Sequence, residues 1–171
     1  MNILGDIGNS ETKIFLVDSK NKIKKSISFS SKKINNLVLK SKFRVLIKDF
    51  RKIEKILFCS VVPDTFNKIK KFLLLKTKKK CFEIKDLDLK SLINVEVNFK
   101  QVGSDRITNA ISIQNGKDNF IILDFGTATT FDVLVKKTYK GGVIAPGIKI
   151  SLNSLSDKAS LIPKIDLKKI K

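Results

Sequence analysis

Two short segments of this sequence have residue types that could hold a phosphate. Asp6-Ile7-Gly8-Asn9-Ser10 and Asp124-Phe125-Gly126-Thr127 each follow an apolar run with an acid, an apolar residue and a glycine, and small polar side chains come next. A turn without bulky side chains presents backbone N–H groups and hydroxyls to phosphate oxygens, while its Asp faces a cation that shields the phosphate charge. The sequence contains no Gly-x-x-x-x-Gly-Lys-Ser/Thr loop, so this chemistry falls to the two turns. Laid over each other at an offset of 118 residues, the segments align Asp6 with Asp124, Gly8 with Gly126, Thr12 with Thr130 and Val17 with Val135. One Asp-x-Gly alone is explained by a turn, with Gly at positive φ and Asp bonding its own backbone. A repeated strand, turn and strand points further, to two jaws on one triphosphate. Asp6, Gly8, Asn9, Ser10, Thr12 and Lys13 would form one jaw, and Asp124, Gly126, Thr127 and Thr129 the other.

The elements that must carry these turns follow from the apolar spacing. Residues 2–8 and 12–17 read as two strands of a tight hairpin, and alternation over 22–29 adds a third. A weakly patterned helix is expected over 34–50. The run Lys55 to Val62 reads as a buried parallel strand stopped by Pro63, and the residues from Pro63 on open a helix carrying Phe66, Ile69, Phe72 and Leu73. Residues 81–84 give a short strand, with another at 95–97, and Ser104 is expected to cap a helix running to about Asn115. A second unit repeats the opening with strands at 119–126, 130–135 and 139–144 and a helix after Pro146-Gly147. Alternating Ile165, Leu167 and Ile170 follow in a tail from Leu161. The expected class is α/β.

Composition narrows the function classes. The chain has 171 residues, 42% hydrophobic and 30% charged, the balance of a folded globular protein. Lys and Arg number 35 against 16 acids, a formal charge of +19 that invites a nucleic-acid reading. Arg44, Arg51 and Arg106 are the only arginines, however, so the bidentate base-reading residue is nearly missing from a lysine-rich surface. Cys59 and Cys81 lie too far apart for a zinc knuckle and no His completes a site; a packed free thiol in a reducing compartment is the expectation for Cys59. No leader-like opening and no run of about 18 apolar residues is present, so neither secretion nor membrane spanning is expected.

These segments resemble the actin and sugar-kinase superfamily and, within it, the type III pantothenate kinases. Asp6-Ile7-Gly8-Asn9-Ser10 is similar to the family's Asp-x-Gly-Asn-Thr/Ser motif, and Gly103-Ser104-Asp105-Arg106 to its Gly-x-Asp-Arg motif. Asp124 to Thr130 is similar to Asp-x-Gly-Thr-Ala-x-Thr, Gly141 to Gly147 to Gly-Gly-x-Ile-x-Pro-Gly, and Ser60-Val61-Val62-Pro63 is a weaker fifth match. The resemblance implies an actin-like ATPase, ribonuclease H-like fold, duplicated, with a mixed sheet in the order βββαβαβα. Residues 1–117 would be its first domain and 118–171 the beginning of a truncated second copy. It implies ATP-dependent phosphorylation of pantothenate to 4'-phosphopantothenate, the first step of coenzyme A biosynthesis, by a cytoplasmic homodimer. Asp105 would be the general base, and Gly103, Ser104 and Arg106 would hold the substrate beside it. Asp6, Ile7, Gly8, Asn9, Ser10, Glu11, Thr12, Lys13 and Thr127 would bind ATP with Mg²⁺, and Asp124 a monovalent cation, K⁺ or NH₄⁺. Neither a specific nucleic acid nor a membrane is implied as partner.

The sequence departs from the family at two places. Glu96 and Phe99 stand where the family carries a Tyr and a Pro of the substrate pocket, and an inward-pointing acid there would repel the pantothenate carboxylate. Family chains also continue well past Leu161-Ile162-Pro163, so the resemblance covers about two-thirds of the family's architecture. A sheet cut there would expose an unpaired edge and an uncovered apolar face, as expected of a fragment or of a chain completed by something else. The alternative to an active kinase is therefore a non-catalytic nucleotide-binding remnant, or a subunit that needs a partner chain.

Overall fold

A computed structural model of the chain describes residues 1–159 and 162–163; the tail pattern of Ile165, Leu167 and Ile170 lies outside the described residues. Two compact units emerge, Met1–Ser91 with Lys100–Thr108, and Leu92–Phe99 with Asn109–Lys171. Residues 92–99 and 109–117, which the sequence reading assigned to its first domain, thus belong to the second unit.

The first unit is built on β1 (Asn2–Ile7), β2 (Glu11–Val17) and β3 (Ile23–Ser30), followed by α1 (Asn36–Leu46), β4 (Lys55–Ser60), α2 (Pro63–Thr77) and β5 (Cys81–Glu83). Its sheet runs β3-β2-β1-β4-β5, with β1 antiparallel to β2 and parallel to β4, and β4 parallel to β5. Local chemistry explains the joints. Asp18 accepts the Lys20 and Lys22 N–H groups at 2.8 and 2.9 Å and closes the β2–β3 turn. Asn35 caps α1 by accepting the Val38 N–H at 2.9 Å. Pro63 sits in the first turn of α2, where its missing N–H costs nothing.

The core of this unit joins Ile3, Ile7 and Ile14 from the hairpin to Phe43, Ile56, Phe58, Phe66, Ile69, Phe72 and Leu73. Phe43 lies 5.2 Å from Phe72 and Phe58 5.9 Å from Phe66, centroid to centroid, and each such pair contributes about 0.5–1.5 kcal/mol beyond its buried area. Gly5 stands opposite Phe58 in the ladder, and a methyl group there would overlap the Phe58 ring. Glycine at this strand position is a packing requirement.

Helix α3 (Ser104–Ile113) has its first five residues in the first unit and its remainder in the second. Ile107 donates its N–H to the Gly103 carbonyl, so Gly103 takes the cap position and Ser104, expected as the cap, is the first helical residue. The second unit contains β6 (Asn94–Val95), β7 (Asn119–Phe125), β8 (Ala128–Val135), β9 (Thr138–Pro146) and α4 (Ile148–Lys158), in a sheet ordered β6-β9-β8-β7. β6 pairs in parallel with β9, which explains why residues 92–99 leave the first unit. On one face Asp132, Leu134 and Tyr139 are fully buried, and the Tyr139 hydroxyl donates to Asp132 Oδ1. On the other, Ile121 pairs with Val133, and Leu123 with Phe131, which pairs with Val143; all five are exposed. Among the described residues no helix is long and apolar enough to cross a membrane.

Candidate active site

Parallel strands tend to gather ligand-binding groups at their carboxyl ends, and the first unit follows that tendency. β1 ends at Ile7 and enters the first turn, where the Gly8 N–H donates to the Glu11 carbonyl at 3.0 Å. Gly8 and Gly126 do not adopt positive φ, so turn conformation is not what demands glycine there. A methyl at Gly8 would sit 3.3 Å from the Glu11 carbonyl, a tight approach inside the turn. Asp6, Asn9, Ser10, Glu11 and Lys13 are exposed around it, and Lys13 stands opposite Asp6 in the hairpin. Ile7 and Thr12 are placed differently. Ile7 is in the core, and Thr12 is fully buried, its hydroxyl 2.8 Å from that of Ser31.

Asp105 stands on the first turn of α3, where the helix macrodipole favours a negative charge. Its Oδ1 accepts the Arg106 N–H at 2.8 Å, and a methyl on Gly103 would run into that same oxygen. Gly103 therefore leaves the room that the Asp105 carboxylate occupies. Ser104 is buried, while Asp105 and Arg106 are half-buried. Cys59 reports how these groups gather. Its thiol is pushed up to about 12, first by burial and then by the carboxylates of Asp6, Asp105 and Glu83, against a hydrogen bond with the Thr108 side chain. Asp6 and Asp105 thus act on one atom at the ends of β1 and β4. Cys59 is a protonated packing residue in neutral solution, not a nucleophile.

The second turn is built by its own neighbours. The Gly126 N–H donates to the Ala128 carbonyl at 2.9 Å, and the Gly147 N–H donates to the Thr127 carbonyl at 3.1 Å. A methyl at buried Gly147 would strike the Gly126 and Thr127 carbonyls, so the Gly141–Gly147 segment ends by pressing its backbone onto the turn. Asp124 and Thr127 are exposed, and the Asn109 side-chain amide donates to Asp124 Oδ2 at 3.2 Å. Thr129 is buried.

The two turns are not superimposable residue for residue. In the first hairpin Ile7, just before Gly8, pairs with Thr12; in the second Phe125, just before Gly126, pairs with Thr129. The structural counterpart of Thr12 is therefore Thr129, which corrects the alignment of Thr12 with Thr130. The second loop is one residue shorter, and a one-residue slip in a strand exchanges its faces. Three residues near these turns escaped the sequence reading. Asn109 lies four residues after Asp105, a spacing that shares a helix face and could have drawn attention to it. Glu83 and Lys85 carried no signal among so many charged residues. Glu96, a concern for the pocket, is exposed and bonds Lys140 at 2.5 Å. Among the described residues no group of three or more His, Cys, Asp or Glu side chains could hold a metal ion. A surface hollow lined by Lys55, Lys79, Lys80 and Phe82 lies where β4 and β5 begin, far along the strands from these groups.

Comparison with known proteins bears on the family and the fold. The family profile for type III pantothenate kinase matches residues 2–171. A type III pantothenate kinase from Pelagibacter ubique is 61% identical over 169 residues, covering 99% of this chain and 68% of that protein. One from Geotalea daltonii is 33% identical over 175 residues, covering 96% of this chain and 66% of that protein. The chain thus spans about two thirds of the length of these relatives. Among solved structures, a Campylobacter jejuni protein named for the Baf family of transcriptional activators has a TM-score of 0.56 at 20% identity, covering 99% of this chain and 65% of its own. A Sinorhizobium meliloti protein named as a 2-dehydro-3-deoxygalactonokinase has a TM-score of 0.51 at 7% identity, covering 94% of this chain and 58% of its own. These two likenesses concern the fold alone, an α/β architecture. The chain belongs to the type III pantothenate kinase family.

Proposed function

We propose that the chain binds ATP through its two Asp-x-Gly turns and transfers the γ-phosphoryl group to the primary hydroxyl of pantothenate, giving 4'-phosphopantothenate. Asp105 is the general base that takes the hydroxyl proton, and Arg106, Gly103 and Ser104 hold the acceptor beside it. Asp6, Gly8, Asn9, Ser10, Glu11 and Lys13 make up the first phosphate turn, with Ile7 and Thr12 as its buried supports. Thr127 contacts the nucleotide from the second turn. The observation that supports this reading is the place of Val61, whose N–H donates to the Ile7 carbonyl at 3.0 Å and whose Cγ1 lies 3.5 Å from where a Gly103 methyl would stand, so that the end of β1 neighbours the segment that carries Asp105. Phosphoryl transfer depends mostly on positioning and charge neutralisation, and a fixed carboxylate beside a phosphate turn supplies the former.

Side-chain chemistry suits the cations that the family resemblance implies. Mg²⁺ is commonly held by substrate phosphates and water with one or two carboxylates, so a lone turn Asp fits it and a protein cage is not required. Asp6 would be that carboxylate. Asp124, exposed and oriented by the Asn109 amide, would hold the monovalent cation, whose charge offsets that of the triphosphate. The two free thiols suit a reducing compartment, and we assign the chain to the cytoplasm.

The test is ATP-dependent conversion of pantothenate by the purified chain. Turnover that falls by about 10²–10⁴-fold in Asp105→Asn supports the proposal. Turnover unchanged by that substitution rejects Asp105 as base. ATP binding without turnover, restored by a second chain, selects instead the reading of a subunit that needs a partner.

A further inference from the structure

We infer that Lys85, supported by Glu83, is a positioning residue for Asp105, and the inference rests on the reading of Asp105 as general base. Lys85 is set apart from the exposed lysines around it. It is half-buried, and its ammonium donates to two backbone carbonyls distant in sequence, Val102 at 2.8 Å and Lys100 at 3.3 Å. These carbonyls belong to the segment that delivers Gly103 and Asp105. A lysine head with three donors meets carbonyl oxygens well, and a charged donor makes such bonds stronger than neutral ones.

The other end of the clamp is equally tied. Glu83 closes β5, and its Oε2 accepts the Lys85 N–H at 2.8 Å while its Oε1 accepts the Ser60 N–H at 3.3 Å. The next residue, Val61, donates its N–H to the Ile7 carbonyl at 3.0 Å, immediately before the first phosphate turn. Val61 Cγ1 also lies 3.5 Å from where a Gly103 methyl would stand. A continuous set of bonds therefore runs from the end of β1, through the Ser60-Val61 corner and Glu83, to Lys85 and the 100–103 segment. This gives the Ser60-Val61-Val62-Pro63 match a role. Without the ammonium, residues 100–103 lose their anchor and the Asp105 carboxylate loses its place relative to the turn. Displacement on the scale of 1 Å costs about 10²-fold in rate.

Amide hydrogen exchange on the 171-residue chain tests the clamp without requiring turnover. Lys85→Met keeps the stem and removes the donors; Lys85→Arg restores donors. In Lys85→Met, exchange of the Arg106 and Ile107 amides should rise at least about tenfold, with the β1 and β2 amides unchanged and Lys85→Arg recovering most of the protection. In the pantothenate assay kcat should fall about 10²-fold with the KM for ATP unchanged. Unaltered exchange at both amides overturns the inference, as does a loss of protection spread equally through β1 and β2. Asp105→Asn judges the base reading separately: full turnover in that variant removes the base, whereas the clamp stands or falls on the exchange data.

Discussion

Gly147 donates its N–H to the Thr127 carbonyl at 3.1 Å and offers no room for a side chain, because a methyl there would overlap the carbonyls of Gly126 and Thr127. The last residue of one glycine-rich segment thus shapes the second Asp-x-Gly turn. Gly147→Ala should destabilise the chain by about 1–3 kcal/mol, the cost of overpacking against backbone that has little freedom to yield. It should also weaken ATP binding. Denaturant unfolding and nucleotide titration of the same variant measure both effects.

The close approach of Gly5 and Phe58 predicts a coupled pair. Gly5→Ala alone should cost about 1–3 kcal/mol, and Phe58→Ala alone about 3–5 kcal/mol for the cavity it leaves. Joined in one chain, the new methyl group enters the space that the ring vacated, and the total should fall short of the sum. A double-mutant cycle by urea unfolding checks this.

Asp132 and Tyr139 are both fully buried, and the phenol donates to the carboxyl group. Tyr139→Phe should lower stability by about 1–3 kcal/mol, because it removes a hydrogen bond from a polar group that water cannot reach. A thermal melt reads the loss. Pairing of β8 with β9, followed by amide exchange, should loosen with it.

Burial raises the thiols of Cys59 and Cys81 from 9.0 to about 12. Between those values the unfolded chain has released these protons and the folded chain has not, so stability falls as pH rises through the window and is intact below it. Urea midpoints should therefore drop as pH rises from about 9 toward about 12. The drop should be smaller in the Cys59→Ser, Cys81→Ser double variant.

Much of the architecture is legible in residue order because strands, helix starts and turns depend on near neighbours. The run ending at Pro63 announces β4 and α2, and the repeated Asp-x-Gly announces both turns. The details near the site are another matter. Thr12 and Thr130 align in sequence, yet Thr12 and Thr129 hold the equivalent buried places, since loop length sets the register. Residues 95–97 read as a strand, which the structure places at Asn94–Val95, without revealing that its partner is β9.

What the sequence alone determined is the presence of two Asp-x-Gly turns, the Asp105 segment, and the family they belong to. Each is a local pattern whose chemistry is carried by residues a few positions apart. Only the tertiary structure decided which of 32 lysines matters to Asp105, why Gly5 and Gly147 must stay glycine, and that Asn109 orients Asp124. Those facts are distances between groups 15 or more residues apart, and such distances exist only once the chain has closed on itself.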